Sequence, residues 1–204
     1  MPTQPTIVGN AVLLVIDIQK SAFMDVKAGI PVMPGYRANM LNALKLVQAA
    51  RASGMPMVFI QEEHRRNMVD FGRELDGTET VHCLCGEPGT PLAAEEMGVR
   101  EDDYFIRKRR YSAFYGTELE ILLKGLKAQT LIMIGGLTDV CVHYTFVDGH
   151  QGDYYCRVIE DAVGGSSEAA HVASLNAMEY LQTGARQTTA RIIELMHQRN
   201  AIAA

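Results

Sequence analysis

The chain lacks long hydrophobic runs, is poor in cysteine and has no strong excess of either charge. Its longest apolar stretches, residues 11–16 and 131–134, are far shorter than the roughly 20 residues that a membrane span needs. The N-terminal segment has no positive charge before an apolar stretch, so a signal peptide is not expected. Four cysteines in 204 residues do not indicate a disulfide framework. Together these absences predict a reduced, cytoplasmic protein.

The charge balance also excludes classes of partner. The formal net charge is only -5, and the basic run at residues 107–110 is a local feature rather than a stripe. We therefore expect neither a nucleic-acid-binding face nor a basic membrane-binding surface. Apolar residues make up 48% of the chain, which is enough for a sizeable core, and no linker or repeat divides the sequence. Residues 1–204 are expected to form one domain.

Short apolar runs alternate with helical patterns along the chain. Strands are predicted at residues 11–17, 55–61, 103–108, 131–136 and 154–160. Helices are predicted at residues 34–52, 117–126, 140–150, 166–182 and 188–198. Nearly continuous apolar strands that alternate with helices are typical of a parallel sheet covered on both faces. The sequence therefore predicts a three-layer, doubly wound α/β fold, in which ligands bind at the carboxyl ends of the strands.

One segment, residues 61–101, has no strong periodicity and is rich in charged residues, glycine and proline. A stretch of this length without regular structure is unusual in a compact domain unless it serves a function. We expect it to fold over the active site.

Three chemically capable residues follow predicted strands. Asp17 ends the first strand, Lys108 ends the third, and Cys141 comes just after the fourth. Taken singly, each has an ordinary interpretation: a capping carboxylate, a solvated lysine or an inert core cysteine. The Gly135-Gly136 turn changes the interpretation of Cys141, because it places the thiol in the first turn of a helix. Free N–H groups there favour a thiolate and can bind an oxyanion.

A nucleophilic thiol also needs a proton acceptor. His143 is only two residues after Cys141 and therefore points to another face of the helix. Asp17, at a neighbouring strand end, is the better candidate for the base. A nearby Lys108 would lower the pKa of the thiol and bind developing negative charge.

Three sequence blocks support this interpretation. LLVIDIQ with Asp17, IRKRRYSAFYGTELE with Lys108 and IGGLTDVCVHYT with Cys141 together resemble the isochorismatase-like cysteine hydrolases, over roughly residues 10–190. The resemblance implies a Rossmann-like sheet of six mainly parallel strands and a Cys-Asp-Lys catalytic triad. It also implies an oxyanion hole formed by the N–H groups of Leu137 and Cys141, and a cis peptide between Gly136 and Leu137.

The family includes hydrolases of nicotinamide, carbamoylsarcosine, ureidoacrylate and biuret, and enzymes that cleave the vinyl ether of isochorismate. Residues 61–71, 85–90 and 180–185 are similar to segments of the biuret-hydrolase branch. The resemblance implies that His64, Arg65 and Gln182 bind substrate, with Phe23 as a pocket wall. Alternatively, Gln182 is an ordinary helix-end residue and Phe23 only packs the loop.

The expected reaction is cleavage of the C–N bond of a small amide or biuret-like ureide through a thioester, with release of ammonia or an amine. The alternatives are a nicotinamidase-type amidase, an isochorismatase-type vinyl-ether hydrolase and a binding scaffold without activity. The intact Asp17, Lys108 and Cys141 argue against the last two. The only expected partners are a small-molecule substrate and further copies of the chain, because the family commonly forms homodimers or homotetramers.

Nicotinamidases of this family hold a metal with an Asp-x-His motif and a later histidine. The matching positions here carry Glu62 or Glu63, His64 and His82, with Cys83 and Cys85 nearby. A His/Glu/Cys cluster can hold zinc, but the aspartate is replaced and the pattern is incomplete. The sequence therefore predicts no metal and no other cofactor. A last pair, Glu160 and Asp161, is expected to cap a helix rather than to form a paired-carboxylate site.

Overall fold

The computed structural model describes residues 5–25 and 29–203, with side chains up to residue 198. The strands are β1 (Asn10–Ile16), β2 (Met57–Glu62), β3 (Tyr104–Lys108), β4 (Ala128–Gly136), β5 (Tyr155–Gly164) and β6 (Arg186–Gln187). The helices are α1 (Tyr36–Ala52), α2 (Ala94–Met97), α3 (Leu119–Gly125), α4 (His143–Gln151), α5 (Glu168–Leu181) and α6 (Thr189–Ala203). A π-helical turn, Thr138–Val142, leads into α4.

The six strands form one parallel sheet in the order β3-β2-β1-β4-β5-β6. This confirms the predicted Rossmann-like sheet. The strand order changes direction between β1 and β4: β2 and β3 are added on one side of β1, and β5 and β6 on the far side of β4. The carboxyl ends of β1 and β4 therefore flank a crevice where ligands bind in such folds. In register, Ile16 of β1 lies beside Ile60 of β2 and Gly135 of β4.

Both faces of the sheet are covered, which explains why β1 is apolar at six consecutive positions, residues 11–16. Leu13 and Val15 pack on the side of α1 and α6. Val12, Leu14 and Ile16 pack on the opposite side, with α3 and α4. Alternate side chains of a strand point to opposite faces, so neither set can be polar without burying an unpaired group. Burial of one such side chain contributes about 1.5–3 kcal/mol to folding.

The predicted strands and helices are found in the predicted order, with differences at their ends, and the structure adds two short elements, α2 and β6. The edge strand β6 has only two residues, too few to carry a recognisable pattern. In β5, which continues to Gly164, the Glu160 carboxylate pairs with Arg186 at 2.9 Å. The Asp161 carboxylate accepts hydrogen bonds from Thr189 N at 2.8 Å and Thr189 Oγ1 at 2.9 Å. This pair thus joins β5 to β6 and caps α6, as the capping interpretation predicted.

Residues 63–103 contain little regular structure apart from α2 and one short 3-10 turn, Glu74–Asp76. An isolated bridge between His64 and Leu84 folds this segment on itself, and a second bridge, between Gln19 and Leu92, attaches it to the loop after β1. The bridges fold it back over the carboxyl ends of β1 and β2. Within the described ranges, every helix is too short or too polar to cross a lipid bilayer.

The Asp161 cap generates a test of the fold. Asp161→Ala should lower the free energy of unfolding by about 1 kcal/mol, because two donors at the start of α6 lose their acceptor. Urea unfolding followed by circular dichroism measures this change. Asp161→Asn retains an acceptor oxygen and should recover most of the loss. Equal losses in the two variants would contradict the capping role.

Candidate active site

Three neighbouring strands bring charged side chains together at their carboxyl ends. Asp17 follows β1, while Glu62 and Lys108 end β2 and β3 and lie opposite each other in the sheet register. The Asp17 backbone has a φ of 51° and its N–H donates to Ile60 O at 2.9 Å. Its Oδ1 accepts a hydrogen bond from Glu62 N at 2.7 Å. The carboxylate is thereby fixed, with Oδ2 directed at Lys108.

The Lys108 ammonium is the centre of the site. The side chain is fully buried, and Nζ lies 2.9 Å from Asp17 Oδ2 and 3.2 Å from Cys141 Sγ. Nζ also donates a hydrogen bond to Glu62 Oε2, and that oxygen is 3.5 Å from Cys141 Sγ. The structure therefore brings together the three predicted catalytic residues and adds Glu62. The signal for Glu62 was present in the sequence, since it ends a strand between the two that carry Asp17 and Lys108.

Cys141 lies in the π-helical turn after β4. A side chain at Gly135 would place its Cβ 1.9 Å from Ile16 O, so only glycine allows the ends of β1 and β4 to approach this closely. The Gly136–Leu137 peptide is cis, as expected. Leu137 O accepts hydrogen bonds from both Val140 N and Val142 N at 3.1 Å, which closes the turn that carries the thiol.

Side chains of α5 and of the loop before it form hydrogen bonds with this turn. Thr138 Oγ1 is hydrogen-bonded to His171 Nδ1 at 2.8 Å, with both side chains buried. The Asp139 carboxylate accepts hydrogen bonds from Ser166 N at 2.8 Å and Ser166 Oγ at 2.5 Å. Contacts on both residues that precede Val140 fix the orientation of the turn, and with it the position of Cys141.

Burial and the shared ammonium determine the charges of the site. Burial works against the charged form of Lys108, but Asp17, Cys141 and Glu62 raise its pKa well above the usual value. Burial also opposes ionisation of Glu62, yet Lys108 and the histidines outweigh it and hold the pKa of Glu62 well below its usual range. For Asp17 burial prevails over Lys108 and raises the pKa to about 6.

The same balance corrects the expectation of a resting thiolate. Burial raises the pKa of Cys141 well above its usual value, because the attraction of Lys108 is offset by Asp17 and Glu62. Burial therefore favours the neutral thiol of Cys141, which lies beside the Asp17 carboxylate.

A second cluster adjoins the first through Glu62. Ligand atoms of Glu62, His64, Glu74 and His82 all lie within 4.8 Å of one another, and all four residues are buried. Glu62 Oε1 is 3.0 Å from His82 Nε2 and 3.4 Å from His64 Nε2. Glu74 Oε2 is 3.1 Å from His64 Nε2, but without hydrogen-bond geometry. Among the described residues, neither ring nitrogen of His64 and neither oxygen of Glu74 has a hydrogen-bond partner.

Two imidazole nitrogens and two carboxylate oxygens that converge in this way fit zinc or a similar divalent metal. Glu74 supplies a donor that the sequence pattern lacked, so the expected metal independence stays a prediction that metal binding has to test. A metal held there would supply Lewis-acid chemistry beside the cavity. Without one, the carboxylates would hold the imidazoles in the charged form: burial opposes this for His64, but Glu62 and Glu74 raise its pKa to about 9.

The Cys141 thiol faces a cavity of about 780 Å³. Its walls come from the loop after β1, the start of α1, the turn after β4 and the segment 61–101. The polar and charged residues that line it include Asp17, Tyr36, Arg37, Glu62, Glu79, His82, Cys83, Glu87 and Tyr111. The segment 61–101 thus forms much of the wall opposite the thiol.

The predicted substrate-binding residues do not line this cavity. Gln182 follows α5 at the amino edge of the sheet, where its amide bonds Cys156 N at 3.1 Å and Tyr154 O at 2.8 Å. It is a helix-end residue, so the substrate-binding prediction for Gln182 is corrected. Arg65 has a side chain 68% exposed and faces a separate surface depression. His64 belongs to the buried cluster, and Phe23 packs on the core beneath the Arg37 guanidinium.

The sequence profile of the isochorismatase domain matches residues 11–192. The chain belongs to the isochorismatase family. A probable inactive nicotinamidase of Arabidopsis thaliana is 32% identical over 81% of this chain and 86% of that protein. The ureidoacrylate amidohydrolase RutB of Stutzerimonas stutzeri is 28% identical over 74% of this chain and 68% of its own length. A solved cysteine hydrolase from Pseudomonas syringae pv. phaseolicola 1448A superposes with a TM-score of 0.82 at 26% identity, over 97% and 96% of the two chains. These findings confirm the predicted family and the expectation of a hydrolytic enzyme.

The second cluster can be tested by metal binding. The purified protein should bind about one equivalent of Zn²⁺ or Mn²⁺, measured by elemental analysis after removal of free ion. Glu74→Gln should weaken the affinity about tenfold or more, because a ligand loses its charge. Glu63→Gln is the matched control, since Glu63 pairs with Arg107 outside the cluster. Failure of the wild-type protein to bind either ion would show that charged histidines alone hold the four side chains together.

Proposed function

We propose that the chain is a cysteine amidohydrolase that cleaves the C–N bond of a small amide or ureide. The observation that carries this proposal is the position of Lys108, whose ammonium contacts Asp17, Glu62 and Cys141 at the base of a cavity. The thiol, a proton acceptor and a fixed positive charge are then within reach of one carbonyl group. The Arabidopsis relative is named as inactive, but this chain retains all three groups that the chemistry needs.

In the first half of the reaction, Cys141 Sγ attacks the substrate carbonyl carbon while Asp17 accepts the thiol proton. The carbonyl oxygen becomes an oxyanion, bound by the N–H groups of Leu137 and Cys141. When the intermediate collapses, the C–N bond breaks and the nitrogen leaves with the proton from Asp17. The product of this half is a thioester on Cys141 and free ammonia or amine.

In the second half, water attacks the thioester carbonyl carbon and gives a proton to Asp17. The C–S bond breaks, the acid leaves, and the sulfur recovers its proton from Asp17. Throughout, Glu62 remains ionised beside Lys108. Because Glu62 supplies the ammonium with a permanent counter-ion, Asp17 is free to gain and lose a proton without leaving Lys108 unpaired.

The substrate proposal is a compact polar ureide of the biuret type. The relatives named ureidoacrylate amidohydrolases support a ureide, and residues 87–90 of the biuret-like turn line the cavity. The position of the buried cluster favours a second candidate, a nicotinamidase-type amidase, because it coincides with the metal positions implied by that branch. Specificity constants for biuret and nicotinamide, measured from ammonia release, distinguish the two.

Removal of the nucleophile should abolish turnover. Cys141→Ala should lower kcat by at least about 10³-fold without unfolding the protein, because no thioester can form. Ammonia release from a panel of amides and ureides measures the effect. Cys85→Ser is the matched control, since Cys85 is exposed and outside the cavity. Full activity in Cys141→Ala would reject a cysteine mechanism.

The pH profile should follow Asp17. Only the ionised carboxylate can accept the thiol proton, and burial raises its pKa to about 6. The value of kcat/KM should therefore fall about tenfold for each pH unit below that point, and level off above it. A profile that stays flat down to pH 4 would contradict Asp17 as the base.

A further inference from the structure

Without a metal in the buried cluster, the charges that line the cavity are not balanced. Asp17 and Glu62 are both paired with Lys108, and His82 is paired with Glu62. Two further carboxylates, Glu79 and Glu87, also line the cavity. Among the lining residues that the structure describes, Arg37 is the one cation outside these pairs. Its guanidinium carbon lies 5.9 Å from the centre of the Phe23 ring, on an exposed side chain near the start of α1.

Glu79 is the carboxylate of this set with unused acceptor capacity near the reacting atoms. Its side chain is only 15% exposed, and its contacts are long: 3.5 Å from Tyr111 Oη and 4.0 Å from His82 Nε2. His82 Nε2 is in turn 3.0 Å from Glu62 Oε1, and the other oxygen of Glu62 is 3.5 Å from Cys141 Sγ. One imidazole and one carboxylate thus connect Glu79 to the nucleophile, through successive contacts of 4.0, 3.0 and 3.5 Å.

We infer that the cavity selects substrates whose end away from the scissile carbonyl is neutral or positively charged and carries N–H donors, and that Glu79 makes this selection. A carboxylate accepts such donors, most strongly when the partner is a cation. A carboxylated substrate such as ureidoacrylate would instead bring a second negative charge towards the largely buried carboxylate of Glu79. The inference rests on the proposed function and specifies its substrate class.

Three amides of nearly the same shape test the inference: malonamate, malonamide and malonamamidine, which carry a negative, zero and positive charge at the far end. In the wild-type protein, kcat/KM should be at least about tenfold higher for malonamide and malonamamidine than for malonamate. Glu79→Gln should reduce the ratio between the cation and the anion about tenfold or more, mainly through KM. Glu101→Gln removes the same charge from an exposed residue outside the cavity and should leave the ratio unchanged.

Binding separates this inference from the proposed chemistry. Calorimetry with Cys141→Ala measures the affinities of the three compounds without turnover, so the charge order can be read even if no amide is hydrolysed. Preference for malonamate, abolished by Arg37→Ala, would overturn the inference and assign Arg37 as a carboxylate-binding residue. The inference is also overturned if Glu79→Gln leaves the charge order unchanged, or if none of the three compounds binds.

Discussion

A fully buried lysine ammonium imposes the main constraint on this structure. An uncompensated charge of this kind costs several kcal/mol, so the sheet must supply negative partners at the position of Lys108 Nζ. Asp17 and Glu62 come from the ends of β1 and β2, the two strands that follow the edge strand β3 in the sheet, and meet that need. The parallel register that sets Glu62 opposite Lys108, and the tight approach of β1 to β4 at Gly135, therefore serve folding and the site at once.

Glu62 links this constraint to the rest of the site. One of its oxygens contacts Lys108 and Cys141, and the other faces His64 and His82. A change in the charge of the histidine cluster therefore alters the electrostatic environment of Lys108 and Cys141 through this one carboxylate. From the end of β2, the Glu62 carboxylate thus contacts both clusters at once.

The segment 61–101 completes the site because it closes the cavity over the strand ends. It brings Glu74 and His82 to the buried cluster and Glu79 to the cavity wall, although none of these residues belongs to the sheet. The strand ends and the turn after β4 therefore fix Asp17, Lys108 and Cys141, while the covering segment contributes side chains to the cavity wall. In the proposed mechanism the first set of residues carries out the chemistry and the second faces the remainder of the substrate.

The sequence by itself determined the parallel sheet and the positions of Asp17, Lys108 and Cys141. The sheet and these positions follow from local patterns. A strand that is buried on both faces must be continuously apolar, and the residue after it lies at the edge of the sheet where ligands bind. Tertiary structure alone decided the second role of Glu62 and the meeting of Glu74 with His64 and His82, because no local pattern tells how an irregular segment folds back. The tertiary structure also places Gln182 away from the site, beside Tyr154 and Cys156. The helix α5 runs back from the carboxyl edge for 14 residues, about 21 Å, so its last turn lies at the opposite edge of the sheet.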